Sequence, residues 1–292
     1  MQGGILTAMV TPFHSDGSID LPSFERLAAH LLDNGSDGLV VAGTTGEAST
    51  LDDREKLDLF AAAVRVADGQ APVMAGTGSN DTAHSVELTA RAAEVGVDSA
   101  LVVTPYYNRP NREGIVGHVG AVAEVGLPLV LYNIPSRTTV NMEPDLLDEL
   151  AGLEAVVGVK QANPDLDECR ATVEAGRLTV WAGNDDMLLP VLEMGGEGVI
   201  SVTSHLAGER MQSMVRAARA GNLDEARAID SSLEDLYAGL FITTNPIPVK
   251  AACVMLGLIP EDHMRLPMVP ATPVQREIVR TTLDAQNLLA TA

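Results

Sequence analysis

The sequence predicts an α/β fold: a closed (β/α)8 TIM barrel with helices appended at its C-terminal end. Three observations predict it. Eight short runs rich in β-branched residues recur through the first two hundred residues, stretches with helical apolar spacing separate them, and the runs are nearly continuous in apolar residues instead of alternating. Parallel strands covered on both faces read in that way. Strand then helix, eight times over, fills one closed barrel without remainder.

The runs are GILTAMV (4–10), GLVVAG (38–43), PVMAG (72–76), SALVVT (99–104), PLVLYN (128–133), AVVGVK (155–160), LTVWAG (178–183) and GVISV (198–202). Between them lie LPSFERLAAHLLDNG, LDDREKLDLFAAAVRVADG, NDTAHSVELTARAAEVG and similar stretches, several ending on a glycine suited to a helix C-cap. A doubly wound open sheet is the alternative, but no G-x-G-x-x-G follows the first run. After the eighth run the chain reads as helical, broken by TTNPIPVK and LPMVPATPV. Residues 1–204 are therefore expected to carry the barrel through its eighth strand. Residues 205–292 are expected to supply the final barrel helix and a helical extension of the same domain unit, since no linker marks a boundary.

With 292 residues, 46% of them apolar, the chain is long enough for a large core. A net charge of −21 argues against a nucleic-acid partner, which needs a basic surface. The N-terminal residues lack a basic stretch followed by a long apolar one, and no window approaches eighteen apolar residues, so a cytoplasmic protein without a membrane partner is expected. Cys169 and Cys253 stand singly in helix-like segments and read as buried free thiols. Lysine is scarce: three (Lys56, Lys160, Lys250) against sixteen arginines. Only lysine supplies an amine that can lose its proton and act as a nucleophile.

Active sites of such barrels form at the carboxyl ends of the strands. The residues ending these runs are polar: Thr44, Thr45 and Glu47 after the second, Tyr106 and Tyr107 after the fourth, Tyr132 and Asn133 with Arg137 after the fifth, Lys160 at the sixth, and Gly183, Asn184 and Asp185 after the seventh. Lys160 either snorkels to solvent or is withdrawn from water as a neutral amine able to form a Schiff base with a carbonyl. Its neighbour Gln161 is uncharged and, one residue along a strand, points to the opposite face. Three of the four tyrosines fall at strand ends, where a hydroxyl beside Thr44 suits proton transfer during imine formation. The GTTGE turn offers hydroxyls and backbone N–H groups to a carboxylate, or is an ordinary turn. Arg137, after a proline-stiffened loop, either grips a carboxylate or pairs with an acid at the surface. GGEGVIS lacks P-loop spacing and reads as close backbone packing. The NDD at 184–186 reads as a helix N-cap; with no cluster of ligands in the sequence, no metal site is expected.

Together GTTGE (43–47), VTPYYNRP (103–110), YNIPSRT (132–138), GVKQA (158–162) and GGEGVISV (195–202) resemble, in order and over nearly the whole chain, the dihydrodipicolinate synthase and N-acetylneuraminate lyase family of class I aldolase-like barrels. The resemblance implies that Lys160 forms the imine with pyruvate, with Thr44, Tyr107 and Tyr132 as a proton relay. It also implies that Tyr107 reaches into a neighbouring subunit within a tight dimer, in a homo-oligomer taken as a tetramer. Thr45 would bind the pyruvate carboxylate, and Gly183 and Ile200 would line the pocket through their backbone. Arg137 resembles the synthase branch, where it holds the carboxylate of aspartate semialdehyde. No metal or organic cofactor is implied. A pyruvate-dependent aldolase of a sugar acid, and a non-catalytic keto-acid-binding barrel, are the alternatives. Gln161, Asn184 and Ser204–His205 depart from the synthase pattern. In the region resembling a lysine-feedback cleft, Asn80 and Tyr106 match, but His84 stands where lysine-inhibited members carry glutamate, which implies weak or absent inhibition by lysine.

Overall fold

The computed structural model describes residues 3–289. Eight parallel strands, β1 (Ile5–Ala8), β2 (Gly38–Val41), β3 (Val73–Gly76), β4 (Ser99–Val103), β5 (Leu129–Asn133), β6 (Val156–Gln161), β7 (Thr179–Ala182) and β8 (Gly198–Ser201), close into a barrel in sequence order. Each of the eight apolar runs holds one strand. Closure is made by β8 pairing with β1 through Ile5↔Val199, Leu6↔Ile200 and Thr7↔Ser201. The β6 ladder extends one residue past the predicted run, because Gln161 pairs with both Asn133 and Ala182.

Alternation along each strand divides the apolar residues into two cores. Leu6, Val40, Met74, Leu101, Val130, Tyr132, Trp181 and Ile200 fill the barrel interior. A larger cluster, including Ile5, Leu39, Val41, Leu129, Leu131 and Val159, packs the outer faces of the strands against the helices. The helices between strands are bounded as their sequences suggest. A capping box between Asp52 and Glu55 opens the helix Asp53–Ala67, while Asp81 caps the helix Thr82–Val95, which ends on Gly96 at φ +95°.

Beyond β8 come the helices Ser204–Arg219, Leu223–Leu240, Ile247–Met255 and Pro273–Ala285. Two charge contacts fasten this tail to the loop after β2 and to the first turn of the helix Asp53–Ala67. Lys250 Nζ donates to Glu47 Oε1 at 2.7 Å with both side chains buried, and Arg265 grips both carboxylate oxygens of Glu55 at 2.5 and 2.7 Å. Both cysteines are buried and free. Burial raises the Cys169 thiol and pushes that of Cys253 up to about 12, which leaves neither as a thiolate near neutral pH.

Candidate active site

The residues of β5, β6 and β7 that share a register level share a face. Lys160 pairs with Tyr132 on one side and Trp181 on the other, so all three side chains enter the barrel at one level. The layer beneath is closed by the Trp181 ring. Gly158, two residues before Lys160, leaves room for it, since a Cβ there would come within 2.7 Å of the ring. The indole is tied down by Nε1 donating to the Gly3 carbonyl at 2.9 Å.

Lys160 is 5% exposed and its Nζ lies 4.6 Å from the centroid of the Tyr132 ring. Among the described residues it has neither a hydrogen-bond acceptor nor a carboxylate partner. Lys250, the other buried lysine, contrasts with it: Glu47 Oε1 and the His263 carbonyl, at 2.7 and 2.6 Å, satisfy its ammonium. The apolar sixth strand therefore ends on an amine held out of water with only an aromatic face beside it.

A cleft of about 560 Å³ opens at the carboxyl ends of β2 to β5. Thr44, Tyr132, Arg137, Thr138 and Asn245 border one part of it, and Asp53, Lys56, Ser79, Asn80, His84 and Tyr106 another. Thr45 is buried behind Thr44, and its Oγ1 accepts from Asn245 Nδ2 at 2.9 Å. Among the described residues, neither the Thr44 nor the Thr45 N–H makes a backbone hydrogen bond, which leaves both donors for a ligand anion. Arg137 is exposed on the short helix Pro135–Thr138 and donates to the Asn245 carbonyl at 3.2 Å. It has no carboxylate partner among the described residues.

Other residues singled out from sequence lie elsewhere. Gly183 follows β7, its N–H on the Gln161 carbonyl at 2.7 Å, and Ile200 sits in the barrel interior; neither borders the cleft. Tyr107 is 91% exposed with its backbone in the left-handed region at φ +73°, a strained position for an aromatic residue.

The departures from the family pattern resolve into supporting contacts. Gln161 faces outward, accepting from Asn133 Nδ2 at 2.9 Å in a network with Asn141, Asn163 and Glu168. Ser204 Oγ meets Thr7 Oγ1 at 2.7 Å. His205 donates from Nδ1 to the Val202 carbonyl at 2.8 Å and accepts from the Val10 N–H at Nε2. The NDD at 184–186 does open a short helical turn, Asp185–Met187, with Asn184 at its N-cap position, but without a side-chain cap. Asn184 makes no capping bond and its amide reaches Met187 Sδ. The buried Asp185 instead accepts from the Val202 and Thr203 amides and the Thr203 hydroxyl, and so braces the end of β8. Burial raises its carboxyl despite those bonds.

Sequence reasoning missed Asn245, Glu47 as an ion-pair partner, and Lys250. The available signal was lysine scarcity, because Lys250 stands inside the apolar stretch PIPVKAACVML. Among the described residues no group of three His, Cys, Asp or Glu is placed to hold a metal ion, and no helix is long and apolar enough to cross a membrane.

Comparison with known proteins agrees with this architecture. The model of the dihydrodipicolinate synthetase family matches residues 1–286. A 4-hydroxy-tetrahydrodipicolinate synthase from Moorella thermoacetica is 48% identical over 290 residues, 98% of this chain and 99% of that protein. The crystal structure of dihydrodipicolinate synthase from Thermotoga maritima superposes with a TM-score of 0.96 at 42% identity, covering 99% of this chain and all of that one. That of a chloride-inhibited dihydrodipicolinate synthase from Acinetobacter baumannii, complexed with pyruvate, does so with a TM-score of 0.95 at 38% identity, covering 99% of each chain. With a family model spanning nearly its whole length and relatives of matching length and fold, the chain belongs to the dihydrodipicolinate synthetase family.

Proposed function

We propose that the chain is a Schiff-base-forming lyase that condenses pyruvate with L-aspartate 4-semialdehyde to 4-hydroxy-tetrahydrodipicolinate, on the route to diaminopimelate and lysine. The observation that carries the mechanism is Lys160: a buried amine without a counterion among the described residues, against the face of Tyr132 at the carboxyl end of a barrel strand. The name borne by the curated relatives favours this synthase over a sugar-acid aldolase.

On this reading the Lys160 amine adds to C2 of pyruvate and water leaves, giving an imine. Loss of a methyl proton gives an enamine, whose terminal carbon attacks the aldehyde carbon of the second substrate. That substrate's amino group then closes on the imine carbon and releases Lys160. Each step moves a proton; Tyr132, whose ring lies against Lys160 Nζ, and Thr44 both border the cleft, which supports them as its carriers. Tyr107 of a second copy completes the relay within a tight dimer, and two such dimers form the tetramer. Its exposure and strained backbone in the single chain support that role. Thr45 and the adjacent amides receive the pyruvate carboxylate, Arg137 receives that of aspartate semialdehyde, and Gly183 and Ile200 shape the pocket by their backbone. The imine is itself the electron sink, so the reaction requires no metal or organic cofactor. Residues 1–204 and 205–292 act as one unit, since Glu47 and Glu55 bind the tail directly. The cytoplasm is the compartment this reading assigns.

Borohydride reduction in the presence of pyruvate, followed by mass spectrometry of the peptide carrying Lys160, tests the mechanism. A covalent adduct on Lys160 is expected, and its absence would sink the Schiff-base reading. An adduct without turnover of aspartate semialdehyde would move the chain to the aldolases.

A further inference from the structure

Thr104 is the first residue after β4 and is buried. Its N–H donates to the Tyr132 carbonyl at 3.0 Å, and its hydroxyl donates to the same oxygen at 3.1 Å. One residue thus occupies both lone pairs of that carbonyl. The first bond continues the strand ladder; the second does not. Thr77 holds the equivalent place after β3, where its N–H likewise donates across to the next strand, at the Leu101 carbonyl. Its hydroxyl, however, meets Thr89 Oγ1 on the helix Thr82–Val95 at 2.7 Å. Barrel closure therefore needs the amide bond at this level and leaves the hydroxyl free for another use.

The local sequence presets that hydroxyl. Pro105 follows Thr104 and disfavours a helical backbone there, while the β-branch of Thr104 restricts its χ1. What it holds is the strand end that carries Tyr132, whose ring lies 4.6 Å from Lys160 Nζ. Among the described residues the Tyr132 hydroxyl makes no hydrogen bond, so no bond of its own fixes where it stands. Its position is passed on from the backbone, through the ladder pair Val103↔Tyr132 and the two Thr104 bonds just beyond it. Thr104 itself does not border the cleft.

We propose that Thr104 is a positioning residue for the reaction: its hydroxyl, bonded to the Tyr132 carbonyl, sets the Tyr132 phenol at the level where protons enter and leave the Lys160 imine. The proposal rests on the Schiff-base reading of Lys160 and adds to it a residue that touches neither substrate. A small misplacement of a proton-transfer group is costly to rate even when substrate binding is intact. The same residue opens the loop that leads to Tyr107, whose backbone stands at φ +73°. Both tyrosines of the proposed relay are thus tied to Thr104.

Thr104→Val removes the hydroxyl, nearly keeps the side chain's shape and leaves the N–H bond in place. Two measurements on the full-length protein with pyruvate alone separate positioning from folding. The final extent of borohydride trapping on Lys160 reports the imine, and exchange of the pyruvate methyl protons in D2O, followed by NMR, reports proton transfer through the enamine. In Thr104→Val, exchange and kcat are expected to fall about tenfold, while the extent of trapping, the KM for pyruvate and the unfolding temperature stay near those of the unaltered chain. Thr104→Ser should restore exchange to within about twofold and Thr104→Ala should not. That pair, close in size, reads the hydroxyl even if the valine variant folds poorly. Undiminished exchange in Thr104→Val or Thr104→Ala would overturn the proposal. So would a parallel loss of trapping and exchange, which would assign the hydroxyl to the fold. An unaltered chain that traps no pyruvate would overturn the Schiff-base reading, and this proposal with it.

Discussion

Lys250 Nζ lies 2.7 Å from Glu47 Oε1, and neither side chain is open to solvent. The pair joins the turn that carries Thr44 and Thr45 to the C-terminal helices, and three further contacts complete it. The His263 carbonyl accepts from Lys250, the Arg265 amide donates to Glu47, and the Phe13 ring lies 4.6 Å from both cations. Removing one partner strands the other charge where water cannot reach it. Lys250→Met is therefore expected to cost about 3–5 kcal/mol of stability. Adding Glu47→Gln to Lys250→Met should cost less than the sum of the two single changes. Urea unfolding of the two single variants and the double variant measures both effects, and additivity would show that the pair is not coupled.

Lys160 inverts that logic. Its amine is buried without a counterion among the described residues, so the fold gains little from its charge. Lys160→Met should abolish borohydride trapping with pyruvate while raising stability by about 1 kcal/mol, the pattern of a group kept for chemistry. Lys160→Arg, which keeps a charge but has no nucleophilic amine, should be equally inactive. Thermal unfolding together with turnover checks both statements. A destabilised Lys160→Met protein would mean that the lysine serves the fold.

Much of this was legible in the sequence because barrel strands announce themselves. Val156, Val157 and Val159, like the other seven runs, are apolar on both faces, and only a strand covered by helices outside and by side chains inside tolerates that. Lys160 was legible as the break in such a run. The Glu47–Lys250 pair was not, since the partners are 203 residues apart and no periodic signal links a turn after β2 to a late helix. Asn245 was hidden for the same reason. The N-cap position of Asn184 was legible because that signature is local, whereas the carboxylate beside it is claimed by amides after β8 that no local pattern reveals.

Stability below neutral pH should follow His205. Burial pushes its imidazole down to about 4, below the ordinary value of 6.5, and the hydrogen bond to the Val202 carbonyl offsets that only in part. The unfolded chain therefore binds a proton between pH 6.5 and 4 that the folded chain refuses. This contribution is intact above pH 6.5 and lost as the pH falls towards 4, by about 3 kcal/mol in total. The raised Asp185 carboxyl acts oppositely: its protonated form favours the fold at low pH, and that gain disappears as the pH rises past its folded value. Urea midpoints at pH 5 and 7.5 measure the slope, which His205→Gln should flatten.

Lysine is expected to inhibit weakly or not at all. His84 Nε2 lies 2.9 and 3.1 Å from the two Asp53 carboxylate oxygens, and Lys56 Nζ stands 4.0 Å from the first. Of the three carboxylates lining the cleft, Asp53 is thus engaged by His84, Glu47 is held by Lys250 and Asp81 caps its helix, so an incoming ammonium would have to displace a neighbour. Steady-state assays with added L-lysine should show no inhibition constant below about 1 mM, a threshold equal to about 4 kcal/mol of binding free energy. His84→Glu should restore some inhibition by returning an acceptor.

Asn245 connects the two groups proposed to bind the substrate carboxylates through separate atoms: its Nδ2 donates to Thr45 Oγ1 at 2.9 Å, while its carbonyl accepts from Arg137 at 3.2 Å. A side-chain truncation removes the first contact and leaves the second, because the backbone remains. Asn245→Ala should therefore weaken pyruvate selectively, raising its KM by about tenfold, the loss of a single hydrogen bond that orients the binding hydroxyl. The KM for aspartate semialdehyde should move less, since Arg137 keeps its carbonyl anchor. Asn245→Gln, which retains the amide at a longer reach, should fall between. Initial-rate measurements with each substrate varied in turn separate the two constants. Equal changes in both would show that Asn245 supports the site as a whole, with no particular bearing on Thr45.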